Sequence, residues 1–367
     1  MISKDKIRQV LTTIKDPELQ KSIVELDMVN TIQIDETTIS LDIKLAVSSY
    51  PLKDKIEEAI KRTLLSIGAD HVSVTFKAMS STERQALTEK LKTSMTTPSG
   101  LPKLLRPGSG VTFLAITSGK GGVGKSTVTI NLATAMARMG LKVGILDADL
   151  YGYSIPNMMG IQEKPIQIDH MQLPVQGHGV KVMSIGLFAT ENQSINWRGP
   201  ILNKWIKSFI VNTYWGELDY LLIDLPPGTG DIAIDIATLI PQAKELIITT
   251  PHNVAAHVAT RAGTMARYTK HDIIGVVENM SYYMEKDGSK NYLFGKGGAE
   301  KLAFKLQTEV IASIPLGKPE ESLTASIYDE DSYIGEVFQS LAEDIVYVTK
   351  KHIQDNKEQT IKNLGHH

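Results

Sequence analysis

Residues 119–126 read Gly-Lys-Gly-Gly-Val-Gly-Lys-Ser, with a short apolar run before them and helical spacing after them. No other feature of the chain restricts its fold as strongly. Val111–Thr117 has the character of a buried strand. Residues 125–139 carry Val128, Leu132, Ala135, Met136 and Met139 at helical spacing, and Gly140 is placed to end that helix. Strand, glycine-rich turn and helix, in that order, are what the G-x-x-x-x-G-K-[ST] phosphate loop requires. Its glycines let successive backbone N–H groups face one anion, because no Cβ blocks the necessary dihedrals. Gly119, Gly121, Gly122, Val123, Gly124, Lys125, Ser126 and Thr127 are therefore the candidate nucleotide-binding residues. Lys125 is positioned to reach the β- and γ-phosphates of ATP, and the Ser126 hydroxyl to ligate Mg²⁺. Lys120 stands too early in the loop for the same route, which points it towards a nucleotide held by another subunit.

From 111 to about 350, apolar strands alternate with helices, the pattern of a doubly wound, mostly parallel α/β sheet. Strands are expected at 112–117, 142–147, 181–186, 219–224, 244–249, 273–278 and 310–314. In such sheets ligands sit beyond the carboxyl ends of the strands, and the polar motifs fall there. Asp147 and Asp149 close one strand, a pair suited to holding the Mg²⁺ water shell and orienting an attacking water. Asp224 ends Asp219–Asp224, the Walker B pattern for Mg²⁺, and Leu225–Asp231 follows as a Pro/Gly turn suited to sensing a γ-phosphate. Asn279 ends another strand and fits either an adenine edge or a capping role. Trp197-Arg198-Gly199-Pro200 is compatible with a phosphate or partner-carboxylate contact and with a surface turn around a packed Trp. The histidines show no metal-ligand spacing.

Four regions follow: a small α+β domain at 1–78, a helical and flexible linker at 79–110, the loop-bearing domain at 111–350, and a polar tail at 351–367. In the first, residues 31–35 and 38–45 alternate with period two around a turn, Pro51 can open a helix to about 66, and 72–76 is a further strand. A net charge of −2 gives no electrostatic reason to expect nucleic acid or an acidic membrane surface. No apolar run approaches ~18 residues, and the first residues lack a signal-peptide core. A cytoplasmic location is expected. The 367 residues include no cysteine, so this chain supplies neither disulfides nor thiolate ligands.

The motifs GKGGVGKS with Lys120, DADLYGYS, WRGP, YLLIDLPPGTGD and VVENMSYY together resemble the Mrp/ApbC family of deviant-Walker P-loop ATPases. DPEL at 16–19 and SIVELDMV at 22–29 resemble the small domain fused to bacterial members and linked to iron–sulfur assembly. The resemblance implies a homodimer with ATP at its interface and Lys120 reaching the other subunit's phosphates. It further implies Asp149 as the water-orienting acid, Asp147 and Asp224 as Mg²⁺-associated groups, and a [4Fe-4S] cluster passed to apo-proteins. In that family a C-x-x-C pair bridges the cluster between subunits. Here the corresponding stretch is Tyr283–Gly288, with Glu285 and either Asp287 or Gly288 at the cysteine positions. The small domain's cysteine before proline is Tyr50-Pro51. Carboxylates are hard ligands and poor substitutes for the thiolates that hold such clusters. The expectation is an Mg²⁺-dependent ATPase serving iron–sulfur assembly. Alternatives are a partitioning-type switch and a nucleotide-dependent scaffold that binds no cluster.

Overall fold

The computed structural model describes residues 2–47, 50–97, 102–106, 108–150, 152–188, 199–228, 230–252, 260, 266, 271–319 and 326–364, with the backbone alone for 199–203 and 352–364. The chain forms two units. One holds residues 1–103, 166–173 and 212–216; the other holds 104–165, 174–211 and 217–367.

In the first unit, α1 (Lys4–Leu11) opens with Ser3 Oγ accepting from Lys6 N at 3.2 Å. β1 (Val29–Asp35) and β2 (Thr38–Leu45) form the expected antiparallel hairpin. Helix α2 (Lys53–Ser66) crosses over to β3 (His71–Ala78), which pairs parallel to β2. Period-two alternation puts Ile39, Leu41, Ile43 and Leu45 of β2 on one face, buried in a core with Ile7, Leu11, Ile56 and Ile60. Helix α3 (Ser81–Met95) starts from a reciprocal Ser80–Glu83 capping box and adds Leu87 and Leu91 to this core. The expected linker is therefore corrected in its first half. Leu87 and Leu91 are four residues apart, so one narrow stripe of an otherwise polar helix is buried.

The second unit begins with β4 (Thr112–Ser118), α4 (Lys125–Arg138), β5 (Val143–Asp147) and the short α5 (Ile155–Met158). The hairpin of β6 (Ile166–Ile168) and β7 (Met171–Leu173) returns to the first unit, where Ile168, Met171 and Leu173 join its core. Then come β8 (Val175–Gly177), β9 (Val180–Ser184), α6 (Gly199–Val211), β10 (Tyr220–Asp224), α7 (Asp231–Leu239), β11 (Lys244–Thr249) and β12 (Asp272–Glu278). A small pair of β13 (Tyr283–Met284) and β14 (Lys290–Asn291) precedes α8 (Gly298–Leu306), β15 (Val310–Ser313) and α9 (Tyr333–Leu364).

Eight strands make one sheet in the order β15-β12-β11-β4-β10-β5-β9-β8, parallel except for β8 at the edge. All seven strands expected from the sequence are present. β10 and β11 are buried along their whole length, as strands covered on both faces must be. β4 lies between β10 and β11 in the middle of the sheet, so the loop that follows it opens at the sheet's centre. α9 continues through the segment expected to be a polar tail. No Gly or Pro interrupts 336–364, and its Lys, Glu and Gln residues favour helix. Among the described residues no helix is long and apolar enough to cross a membrane.

Candidate functional site

Two glycines with positive φ shape the loop after β4: Gly122 at +78° and Gly124 at +79°. Gly124 is also the N-cap of α4, and no side chain caps that helix. The first amide groups of a 14-residue helix therefore point at open space, the arrangement that attracts a phosphate. A Cβ on Gly124 would stand 2.2 Å from Asn279 Nδ2, so the packing as well as the dihedral requires glycine there. A cavity of about 270 Å³ opens over the loop. Residues 120–127 line it from below, with Ser118 beside them; Asp149, Gly152, Ser154, Met158 and Pro227 complete its walls. Gly119 is not among these, and Asp147 and Asp224 lie behind them.

Asp224 is fully buried at the end of β10 and gathers three groups from the first turn of α4. Ser126 Oγ donates to Oδ2 at 2.7 Å and Thr129 Oγ1 to Oδ1 at 2.7 Å. Lys125 Nζ lies 2.7 Å from Oδ2. That contact is an ion pair outside hydrogen-bonding angles, and the buried ammonium has no hydrogen-bond acceptor among the described residues. A phosphate oxygen would supply one, and uncapped helix amides surround the same space, so the loop fits a nucleotide's phosphates.

Asp147 is equally buried. Its Oδ2 accepts from Ser184 Oγ at 2.8 Å and its Oδ1 from Asp149 N at 3.2 Å. Burial, and then the charge of Asp224, push its carboxyl above the ordinary range; the Ser184 hydrogen bond and Lys125 oppose this. Two buried carboxylates thus share one ammonium, a charge balance that a divalent cation would improve. Hydroxyl and carboxylate oxygens are the ligands Mg²⁺ prefers. Among the described residues no cluster of three or more His, Asp or Glu could hold a metal alone. Asp149 reaches the cavity itself, its Oδ1 accepting from Gly152 N at 3.1 Å.

The Pro/Gly turn after β10 is tied to the end of β4: Leu225 N donates to Ile116 O at 3.2 Å and Gly228 N to Ser118 O at 2.8 Å. Pro227 lines the cavity. Asn279 donates from Nδ2 to Val123 O at 2.9 Å, so its amide holds the loop from outside. It also lines a second cavity of about 240 Å³, whose apolar walls include Met280, Pro315, Leu316 and Tyr328. Thr127 borders both cavities. The Trp197-Arg198 motif lies outside the described residues. The sequence reading did not find Thr129, Ser184, Ser154 or Met158. Only Thr129 left a signal, three residues after Ser126 and so on the same helix face.

In the stretch that stands where the family's cysteines fall, the carboxylates present have their own partners. Glu285 Oε1 accepts from Asn291 Nδ2 at 2.9 Å, and Asp287 Oδ1 accepts from Ser289 N and Oγ at 2.9 and 2.7 Å. These bonds close the β13–β14 turn. In the first unit Tyr50 is buried and its hydroxyl donates to Asp16 Oδ1 at 2.7 Å. Burial raises the pKa of both groups. These oxygen groups do not fit a resident iron–sulfur cluster.

A family profile described as NUBPL iron-transfer P-loop NTPase matches residues 111–346, and one described as iron-sulfur cluster assembly protein matches residues 4–76. The chain is 44% identical over 352 residues to the iron-sulfur cluster carrier protein of Bacillus subtilis, covering 94% of this chain and 98% of that one. It is 45% identical over 315 residues to the iron-sulfur cluster carrier protein of Mycobacterium leprae, covering 85% and 82%. A solved nucleotide-binding protein from Archaeoglobus fulgidus in complex with ADP aligns with a TM-score of 0.50 and 38% identity, over 64% of this chain and 88% of that one. With a phosphate loop at the centre of a doubly wound sheet and a match spanning that whole domain, the chain belongs to the NUBPL iron-transfer P-loop NTPase family.

Proposed function

We propose that this chain binds and hydrolyses ATP and uses that cycle in the delivery of iron–sulfur clusters to apo-proteins. The observation that carries the nucleotide half is the convergence of Lys125, Ser126 and Thr129 on Asp224 beneath a cavity floored by an uncapped helix. Loop amides and Lys125 hold the β- and γ-phosphates. Mg²⁺, held by Ser126 with Asp224 and Asp147 behind it, supplies charge neutralisation on the phosphate oxygens when bound. The Asp149 carboxylate, fixed by Gly152 N, accepts a hydrogen bond from the attacking water and orients it in line with the γ-phosphoryl group. Lys125 stabilises the charge that develops on the transferring group. Lys120 is exposed at the cavity rim, where it can serve the phosphates of a second copy in a homodimer.

The relatives' names supply the cargo half: both are called iron-sulfur cluster carrier proteins. Without a cysteine, this chain handles a cluster whose thiolates come from a partner or a small thiol. An anaerobic transfer assay tests this. The chain is mixed with a glutathione-ligated cluster and an apo [4Fe-4S] acceptor, with and without MgATP. MgATP is expected to change the rate of acceptor reconstitution several-fold, and Lys125→Ala to abolish that effect. Equal rates under all conditions would remove the carrier role.

A further inference from the structure

Asn131 lies one turn beyond Thr127 on α4 and is only 3% exposed. Its Nδ2 donates to Thr127 O at 2.9 Å and to Ser326 O at 3.0 Å; its Oδ1 accepts from Tyr328 N at 2.9 Å. These partners dictate the amide's orientation. Reversed, the oxygen would face two carbonyls and the NH₂ an N–H. The residues it grips, Ser326 to Tyr328, form a strap with three further anchors. Ser326 N donates to Met158 O at 2.5 Å, and Met158 lines the phosphate cavity. Arg138 Nη1 donates to Tyr328 O at 3.1 Å. The Tyr328 hydroxyl donates to Gly317 O at 2.9 Å, across the second cavity's wall. Ser326, Tyr328, Gly317 and Thr127 all line that second cavity.

Packing alone does not call for an amide here. Leucine has the same branching at Cγ and a higher helix propensity, and a buried amide is costly unless fully paired. What Asn131 adds is a fixed spacing between the phosphate loop's helix and the strap's main chain.

We propose that Asn131 is a positioning residue for the nucleoside half of the nucleotide: it holds the strap at 326–328 as a preformed wall of the second cavity, in register with the phosphate loop through Thr127. This rests on the nucleotide reading above and extends it to the base and ribose. A preformed wall removes ordering cost from nucleoside binding and leaves the phosphates untouched.

The test is calorimetric titration of the full chain with MgATP and, separately, with magnesium tripolyphosphate, which has the phosphates and no nucleoside. Asn131→Leu removes all three bonds. Asn131→Asp keeps the volume and the Tyr328 acceptor but sets a carboxylate against two carbonyls. Both variants are expected to bind ATP about tenfold more weakly, the equivalent of one or two lost hydrogen bonds. Tripolyphosphate affinity is expected to stay within about twofold of wild type. An equal loss for both probes, or unchanged ATP affinity in either folded variant, overturns the proposal. So does failure of both variants to fold by near-ultraviolet circular dichroism, which would make Asn131 a structural residue. Wild-type protein that binds tripolyphosphate as tightly as ATP overturns the nucleoside assignment. Wild-type protein that binds neither overturns the nucleotide reading itself.

Discussion

Gly124 and Gly122 look alike in the sequence and differ in what surrounds them. Both have φ near +80°, which a side chain tolerates poorly. A Cβ on Gly122 meets nothing within 4 Å, whereas one on Gly124 collides with the Asn279 amide that braces the loop. Gly122→Ala is expected to cost about 1 kcal/mol, the dihedral alone, and Gly124→Ala about 2–4 kcal/mol together with most of the ATP affinity. Denaturant unfolding and ATP titration of both variants check this; equal losses would contradict it. At this scale the sequence exposed the strand-end carboxylates and the loop, because spacing alone reveals them. It did not show which groups they meet. Thr129 meets Asp224 across 95 positions and Ser184 meets Asp147 across 37, contacts that exist only once the sheet has ordered its strands.

At the level of elements, α3 is the informative case. Its polar surface reads as linker, yet it begins with a capping box and buries Leu87 and Leu91. Glu83 in that box also pairs with Lys44 on β2, joining the helix start to the sheet. The Lys44 contact first, and the Ser80 amide next, pull the Glu83 carboxyl down to about 2. A carboxyl lowered on folding stabilises the folded state above its unfolded pKa, near 4.5, and loses that contribution as pH falls towards 2. Glu83→Gln is therefore expected to flatten the acid side of the stability curve between about pH 4.5 and 2 and to lower stability at neutral pH. Thermal unfolding of both proteins across that range measures it; parallel curves would contradict it. The β6–β7 hairpin escaped the sequence for another reason. Three-residue strands are too short to show a period, and their membership of the first unit's core is a tertiary choice.

For the whole molecule, the two-unit division follows contacts rather than chain order, since 166–173 and 212–216 return to the first unit. The doubly wound sheet was legible because its central strands are apolar runs closed by polar motifs, whereas the three-residue edge strand β8 is too short to show a pattern. The extent of α9 was not, because the sequence of its C-terminal half is mostly polar and shows no sustained apolar period to mark a helix. The dimer proposed from Lys120 predicts that Asp149→Ala protein, binding MgATP without turning it over, doubles its scattering mass relative to the nucleotide-free state. A monomeric mass at high concentration with saturating MgATP would remove the role of Lys120 in a second copy's site. The central claim is hydrolysis at the loop that follows β4, and steady-state phosphate release from MgATP tests it most directly. Wild-type protein is expected to release phosphate at least about tenfold faster than either Lys125→Ala or Asp149→Ala; the same rate in all three proteins would contradict it.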